Sequence, residues 1–155
     1  MKKNIYTTTT IATNKKARFY YFIIDELTAG IILTGTEIKS IRERKVNIND
    51  AYCFFKNHEL YIKQMHIAQY KYGNIYNHEE LRYRKLLLNK KELIKLENNL
   101  EKCYSIIPLE VFINNRGLAK ITIAIVKGKK LYDKRKTLKE KDLQRRINSF
   151  DSEDD

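Results

Sequence analysis

The side chains with chemistry to offer in this chain are cations and tyrosines. Residues 126–147 read VKGKKLYDKRKTLKEKDLQRRI and hold ten Lys or Arg against three acids. Lys127, Lys129, Lys130, Lys134 and Arg135 crowd the first half of that run, with Gly128, Tyr132 and Asp133 among them. Leu131, Leu138, Leu143 and Ile147 are its apolar residues, a stripe too sparse to bury against a core. A dense row of cations suits a polyanion. The plainer reading is a solvated basic tail without a target.

Smaller clusters recur upstream. Asn14, Lys15, Lys16 and Arg18 lead into an aromatic and β-branched run. Lys39, Arg42 and Arg44 sit around Ile38 and Ile41, which share one helical face. Arg82, Arg84 and Lys85 surround Tyr83. Cations neutralise phosphates and tyrosines stack on bases, the combination that single-stranded RNA favours.

Catalytic patterns are weak by comparison. His58, His66 and His78 lack ligand spacing, and the adjacent pairs Asp25-Glu26 and Glu79-Glu80 lack the separation paired catalytic carboxylates need. There is no GxSxG, phosphate-binding loop or dinucleotide fingerprint. Cys53 and Cys103 stand far apart and outside any CxxC pattern, so two ordinary thiols are expected rather than a zinc site or disulfide framework. No metal and no cofactor is expected, and no enzyme activity. No run is long enough to cross a membrane and no secretory signal opens the chain, so a cytoplasmic protein is expected.

The elements that must position these residues follow from length and pattern. The chain has 155 residues and a formal charge of +12, which suits one domain with basic arms. Residues 1–13 are polar and read as a flexible arm, 14–126 as the globular domain, and 127–155 as a basic tail with an acidic end. Phe19–Ile24 reads as a strand, Ala29-Gly30 as a turn and Ile31–Leu33 as the returning strand. Thr36 is placed to cap a short helix over 37–44. Residues 51–55 and 60–67 read as a hairpin, 70–80 as a loop and 85–88 as a strand. Asn89 and Glu92 have capping-box spacing before a helix with Leu93, Leu96 and Leu100 on one stripe. Residues 106–113 and 118–126 form the clearest hairpin, turning at Gly117, with Pro108 at a bulge or edge. Phe22, Ile32, Leu33, Ile121, Ile123 and Ile125 are the expected core. The pattern predicts a mainly β fold with short helices, a small OB-like barrel of about six strands. A two-layer α+β sandwich is the alternative.

Five ordered stretches resemble the SmpB, or SsrA-binding, protein family. They are Ala12–Arg18, Ala29–Arg42 (AGIILTGTEIKSIR), Val46–Tyr52 (VNINDAY), Arg84–Leu93 (RKLLLNKKEL) and Lys127–Arg135 (KGKKLYDKR). The resemblance implies an OB-like barrel whose basic C-terminal tail is disordered when free and helical on the ribosome. It implies binding to the tRNA-like domain of transfer-messenger RNA (tmRNA), and trans-translation on a stalled bacterial ribosome. It also implies an indirect contact with the elongation factor that carries charged tmRNA. By motif, Glu37, Leu87 and Lys120 fall on or under the family's tmRNA-binding face, and Asn14, Lys15 and Arg18 match its N-terminal basic motif. Lys127–Lys130 and Tyr132–Arg135 match the tail segment facing the decoding region and mRNA channel. With the residue clusters above, the expected RNA contacts are Asn14, Lys15, Lys16, Arg18, Glu37, Lys39, Arg42, Arg82, Arg84, Lys85, Leu87 and Lys120. Thr28, Glu80, Tyr132 and Leu143 depart from common family residues. Arg44 stands where many members have Gly; a positive φ there would cost about 1 kcal/mol. The rival reading is an OB-type protein of ribosomal RNA binding or ribosome assembly, which accounts for charge and fold but not for the five motifs.

Overall fold

The computed structural model describes residues 8–73, 75–102, 104–130, 135 and 138–146. In chain order the elements are β1 (Thr9–Thr13), α1 (Ala17–Tyr20), β2 (Tyr21–Ile31), α2 (Gly35–Arg42), β3 (Val46–Asn47) and β4 (Tyr52–Lys56). They continue with β5 (Glu59–Lys63), β6 (His66–Ile67), β7 (Arg84–Leu87), α3 (Lys90–Glu101), β8 (Ser105–Ile113) and β9 (Ala119–Gly128). Seven strands form one antiparallel sheet in the order β1-β8-β9-β2-β7-β5-β4, and β3 pairs with β6 alongside. Nine strands among the described residues replace the expected six. The sheet rolls until β4 lies against β8. No ladder joins β4 to β8 among the described residues, so the barrel is rolled rather than hydrogen-bonded shut.

Local sequence accounts for the central hairpin. In β9, Ile121, Ile123 and Ile125 alternate inward and are fully buried. Gly117 takes φ +77 in the turn, where a side chain would strain the backbone. The β8–β9 register slips between Pro108 and Glu110, so the proline lies beside a bulge as its missing N–H requires. Ala124 and Val126 are also buried, because Ala17 of α1 and Ile107 cover the other face of the sheet there. Asn89 caps α3 in a reciprocal box with Glu92, and Leu96 is its fully buried anchor.

Several expectations need correction. Ala29-Gly30 is no turn: β2 runs unbroken through both, paired with β9 and then β7. Phe22 and Ile32 are half exposed, since Phe22 falls on the outward alternate of β2 while Tyr21 and Ile23 pack inward, and Ile32 lies just past the strand's end. The cap of α2 is Thr34, not Thr36, and it forms a full capping box with Glu37. Residues 9–13 are no free arm. Threonines favour extended backbone, and they pair with the open edge of β8. Strand β9 extends to Gly128, so Lys127 and Gly128 belong to the sheet opposite Phe22 and Tyr21. Residues 138–146 are helical in the chain alone, where no structure was expected without the ribosome. Every side chain there is exposed, so no core burial holds that segment, although Lys141 Nζ stands 5.9 Å from the Phe19 ring centre. Tyr132, Asp133 and Lys134 lie outside the described residues.

Arg44 has φ 64, the strained position that its Arg in place of the family's Gly suggested. Its guanidinium donates to the Thr10 carbonyl at 2.8 Å and so ties β1 to the end of α2.

Two substitutions separate the inward and outward faces. Ile123→Asp forces a charge into an apolar site and should cost about 4 kcal/mol or more. Phe22→Ser should stay within about 1 kcal/mol. Thermal or urea unfolding checks both, and comparable losses would mean that the faces have been misassigned.

Candidate nucleic-acid interface

The site is built on one buried carboxylate. Glu37, at the third position of α2, is fully buried. One of its oxygens accepts from the Thr34 amide at 2.9 Å and from Arg82 Nη2 at 2.6 Å. The other accepts from Arg84 Nε. Arg84 is itself fully buried and donates to the carbonyls of Met65 (2.7 Å), Glu80 (3.2 Å) and Glu79 (3.4 Å). Burial alone would raise the Glu37 pKa, but Arg82, the Thr34 amide and Arg84 together hold it below its ordinary 4.5. Burial lowers the Arg84 pKa, with Glu37 opposing.

This corrects one expectation. Arg84 touches no solvent and its donors go to protein acceptors, so its side chain cannot grip a phosphate. Glu37 likewise lies beneath the surface. Their work is positional: the pair fixes β7 against α2. Arg84 and Leu86 then point inward while Lys85 and Leu87 point out.

Above the pair, Leu87 of β7 and Lys120 of β9 meet over Gly30 of β2. A Cβ at Gly30 would lie 3.2 Å from Leu87 Cβ and 3.5 Å from Lys120 Nζ. The glycine is therefore a close-approach residue rather than a turn former. A cleft of about 350 Å³ opens here, with Leu87, Leu118 and Ile38 as apolar walls and Arg42 and Lys120 as cations. Leu87 and Leu118 are each half exposed. Lys39 projects from α2 with its ammonium 5.3 Å from the centre of the Tyr70 ring. Lys85 is partly neutralised by Glu59 at 2.5 Å, which raises its pKa.

The remaining predicted residues lie elsewhere. Tyr21 of β2 pairs with Gly128, whereas Gly30 pairs with Lys120. Nine residues of strand separate the two ends, roughly 30 Å. Lys15, Lys16 and Arg18 surround α1 at the far end, where the tail departs. Lys129 donates its amide to Tyr20 O and its ammonium to Arg18 O, each at 2.8 Å. It also stands 5.0 Å from the Phe22 ring centre. Asn14 is buried and structural: its amide donates to Pro108 O at 2.9 Å, and its oxygen accepts from the Lys16 amide. Lys16–Asp50 (4.0 Å) and Arg18–Glu26 (3.9 Å) are loose exposed pairs that compete weakly with a phosphate.

Sequence reasoning missed Gly30, Leu118 and the His78 anchor. His78 is buried between Thr36 Oγ1 and Ile67 O, each at 2.9 Å, and pins the 70–80 loop to α2. Its only local signal was position in a Tyr/Asn-rich loop. Cys53 is buried, which pushes its thiol pKa up and leaves it inert. Among the described residues, no group of three or more His, Cys, Asp or Glu is placed to hold a metal.

A rolled antiparallel sheet with cationic surfaces at both ends and a basic extension defines a small, mainly β nucleic-acid-binding protein. The family model described as "SmpB protein" matches residues 11–152. The SsrA-binding protein of Phocaeicola vulgatus is 56% identical over 135 residues, covering 86% of this chain and 90% of that protein. That of Anaplasma marginale is 52% identical over 136 residues, covering 87% and 91%. A solved structure, "tmRNA-SmpB: a journey to the center of the bacterial ribosome", contains a chain with TM-score 0.66 and 39% identity, covering 77% of this chain and 85% of that one. The chain belongs to the SmpB family.

The buried pair predicts a pH dependence. Because the folded Glu37 pKa is depressed, its contribution is complete above about pH 4.5 and is lost as pH falls through the folded value. Glu37→Gln, which leaves two arginines facing a neutral amide, should cost about 3–5 kcal/mol at neutral pH. The gap between wild type and variant should narrow in acid. Urea unfolding at several pH values checks this, and a gap constant with pH would refute the assignment.

Proposed function

We propose that this chain binds tmRNA and works with it on stalled bacterial ribosomes in trans-translation, as a cytoplasmic binding protein without catalysis of its own. The observation that carries the reading is the family match from residue 11 to 152, which takes in both cationic ends of the sheet and the tail.

The two ends of the β2–β9 ribbon divide the work. The Gly30–Leu87–Lys120 patch offers apolar contact flanked by cations, suited to sugar and base surfaces edged by phosphates. We assign the tRNA-like domain to it, with Arg42, Lys39, Arg82 and Lys120 meeting phosphates and Leu87 packing without charge. Lys15, Lys16, Arg18 and the tail from Lys127 face the ribosome from the other end. Lys127, Lys129 and Lys130, with Lys134 and Arg135 further on, would line a path walled by ribosomal RNA phosphate. An elongation factor carrying charged tmRNA would meet the RNA rather than this chain.

Lys120→Ala should weaken binding of the tRNA-like domain by about 1.5–3 kcal/mol, one charge-assisted contact. Truncation after Lys130 keeps β9 and its tie to Tyr20 whole. It should leave tmRNA affinity nearly unchanged and abolish tagging of peptides on ribosomes lacking a stop codon. Filter binding and a tagging assay check the pair. Normal tagging by the truncated protein would make the tail a dispensable extension, and undiminished RNA affinity in Lys120→Ala would move the interface elsewhere.

A further inference from the structure

One exposed surface is not used by any of this. On the outer face of β4, β5 and β7, the register pairs Tyr52 with Lys63, Phe54 with Tyr61, and Tyr61 with Lys85. The inward alternates Cys53, Leu60 and Ile62 are buried, so the strands are anchored, and on their other face Tyr52 is exposed while Phe54 and Tyr61 are half-buried. Phe54 stacks on Tyr61 with centroids 5.8 Å apart and 25° between planes. Tyr83, half exposed, meets Phe54 edge-on at 5.4 Å. Lys63 Nζ lies 5.3 Å from the Tyr83 centroid. Contact with the Tyr83 side chain, then Tyr52, raises the Lys63 pKa and keeps it charged. Lys56, Lys63 and Lys85 surround the rings, with Glu59 as the single acid in the register pairs.

We infer that this face is a stacking platform for unpaired RNA bases, continuous through Lys85 with the Leu87–Lys120 patch. A contiguous group of partly exposed rings on a sheet marks a contact surface. The cation excess around these rings matches a phosphate backbone. Base stacking on exposed rings is tolerant of sequence and needs no preformed pocket. Three strands about 4.8 Å apart present the rings over about 10 Å, room for roughly two bases. The inference rests on the RNA reading above and adds to it: paired RNA is held at Leu87 and Lys120, and unpaired nucleotides adjoining it lie across β5 and β4.

The test uses the full chain and a short fluorescein-labelled oligoadenylate. It is run at high salt, where the tail's phosphate contacts are weakened. Tyr61→Ala with Tyr83→Ala should lower affinity about tenfold or more. Tyr61→Phe with Tyr83→Phe, which keeps both rings, should bind like wild type. Equal affinity in the alanine variant overturns the inference. A second arm needs no variant: a 4-thiouridine oligonucleotide crosslinked to wild type should mark residues 52–63 and 83–85. Adducts confined to 127–146 would overturn it and leave the rings to a protein partner. Binding of the tRNA-like domain, measured alongside, separates the two readings. If it persists while the oligonucleotide arms fail, only the platform is lost. If it is absent while the platform is marked, the tmRNA reading falls and the platform stands.

Discussion

The buried ion pair between Glu37 and the two arginines holds the interface in shape. One carboxylate closes the capping box of α2, anchors Arg82 at the surface and neutralises Arg84 in the core. Arg84 in turn satisfies three carbonyls from the chain around it. A buried charge of either sign alone would be costly. Together they lock α2, β7 and the 79–82 segment into one arrangement. Leu87 can then lie over Gly30 beside Lys120, because β7 has no freedom to slip: a shift of one residue would turn Leu87 inward and expose Leu86.

The same sheet that unites these groups also keeps others apart. β2 and β9 run antiparallel over their full length, so a residue near the β8–β9 turn and one near the tail exit sit at opposite ends. Cations that look alike in sequence therefore serve different surfaces. Arg18 and Lys129 are hydrogen-bonded to one another's segment, which joins the N-terminal basic cluster to the root of the tail. Lys120, eight positions before Gly128, belongs to the other surface.

What was legible in the sequence was local. The alternating isoleucines of β9, the glycine of its turn, the Asn89–Glu92 box and the order of the five motifs each carry their signal within a few residues. What was hidden depended on distant partners. Arg84 reads as one more surface cation because Glu37, which neutralises it, lies 47 residues away. Gly30 reads as a turn because nothing nearby shows that Leu87 and Lys120 will close over it. Phe22 reads as core because aromatic residues usually are, and only the inward packing of Tyr21 and Ile23 turns it outward. Thr9–Thr13 reads as a polar arm because the β8 edge that receives it is about a hundred residues on. The outward rings of β4 and β5 have the same alternation as a core face, and only burial of Cys53, Leu60 and Ile62 shows which side is which.

The central claim is that the Glu37–Arg84 pair shapes the RNA surface without touching RNA. The most direct measurement is the salt dependence of binding to the tRNA-like domain. It compares wild type with Arg84→Met, which removes the buried cation while Glu37 keeps its bonds to Arg82 and the Thr34 amide. The account predicts an unchanged slope of log affinity against log salt, whatever happens to the affinity itself, because no phosphate contact is removed. A slope shallower by about one would mean that Arg84 grips a phosphate after all, and would contradict it.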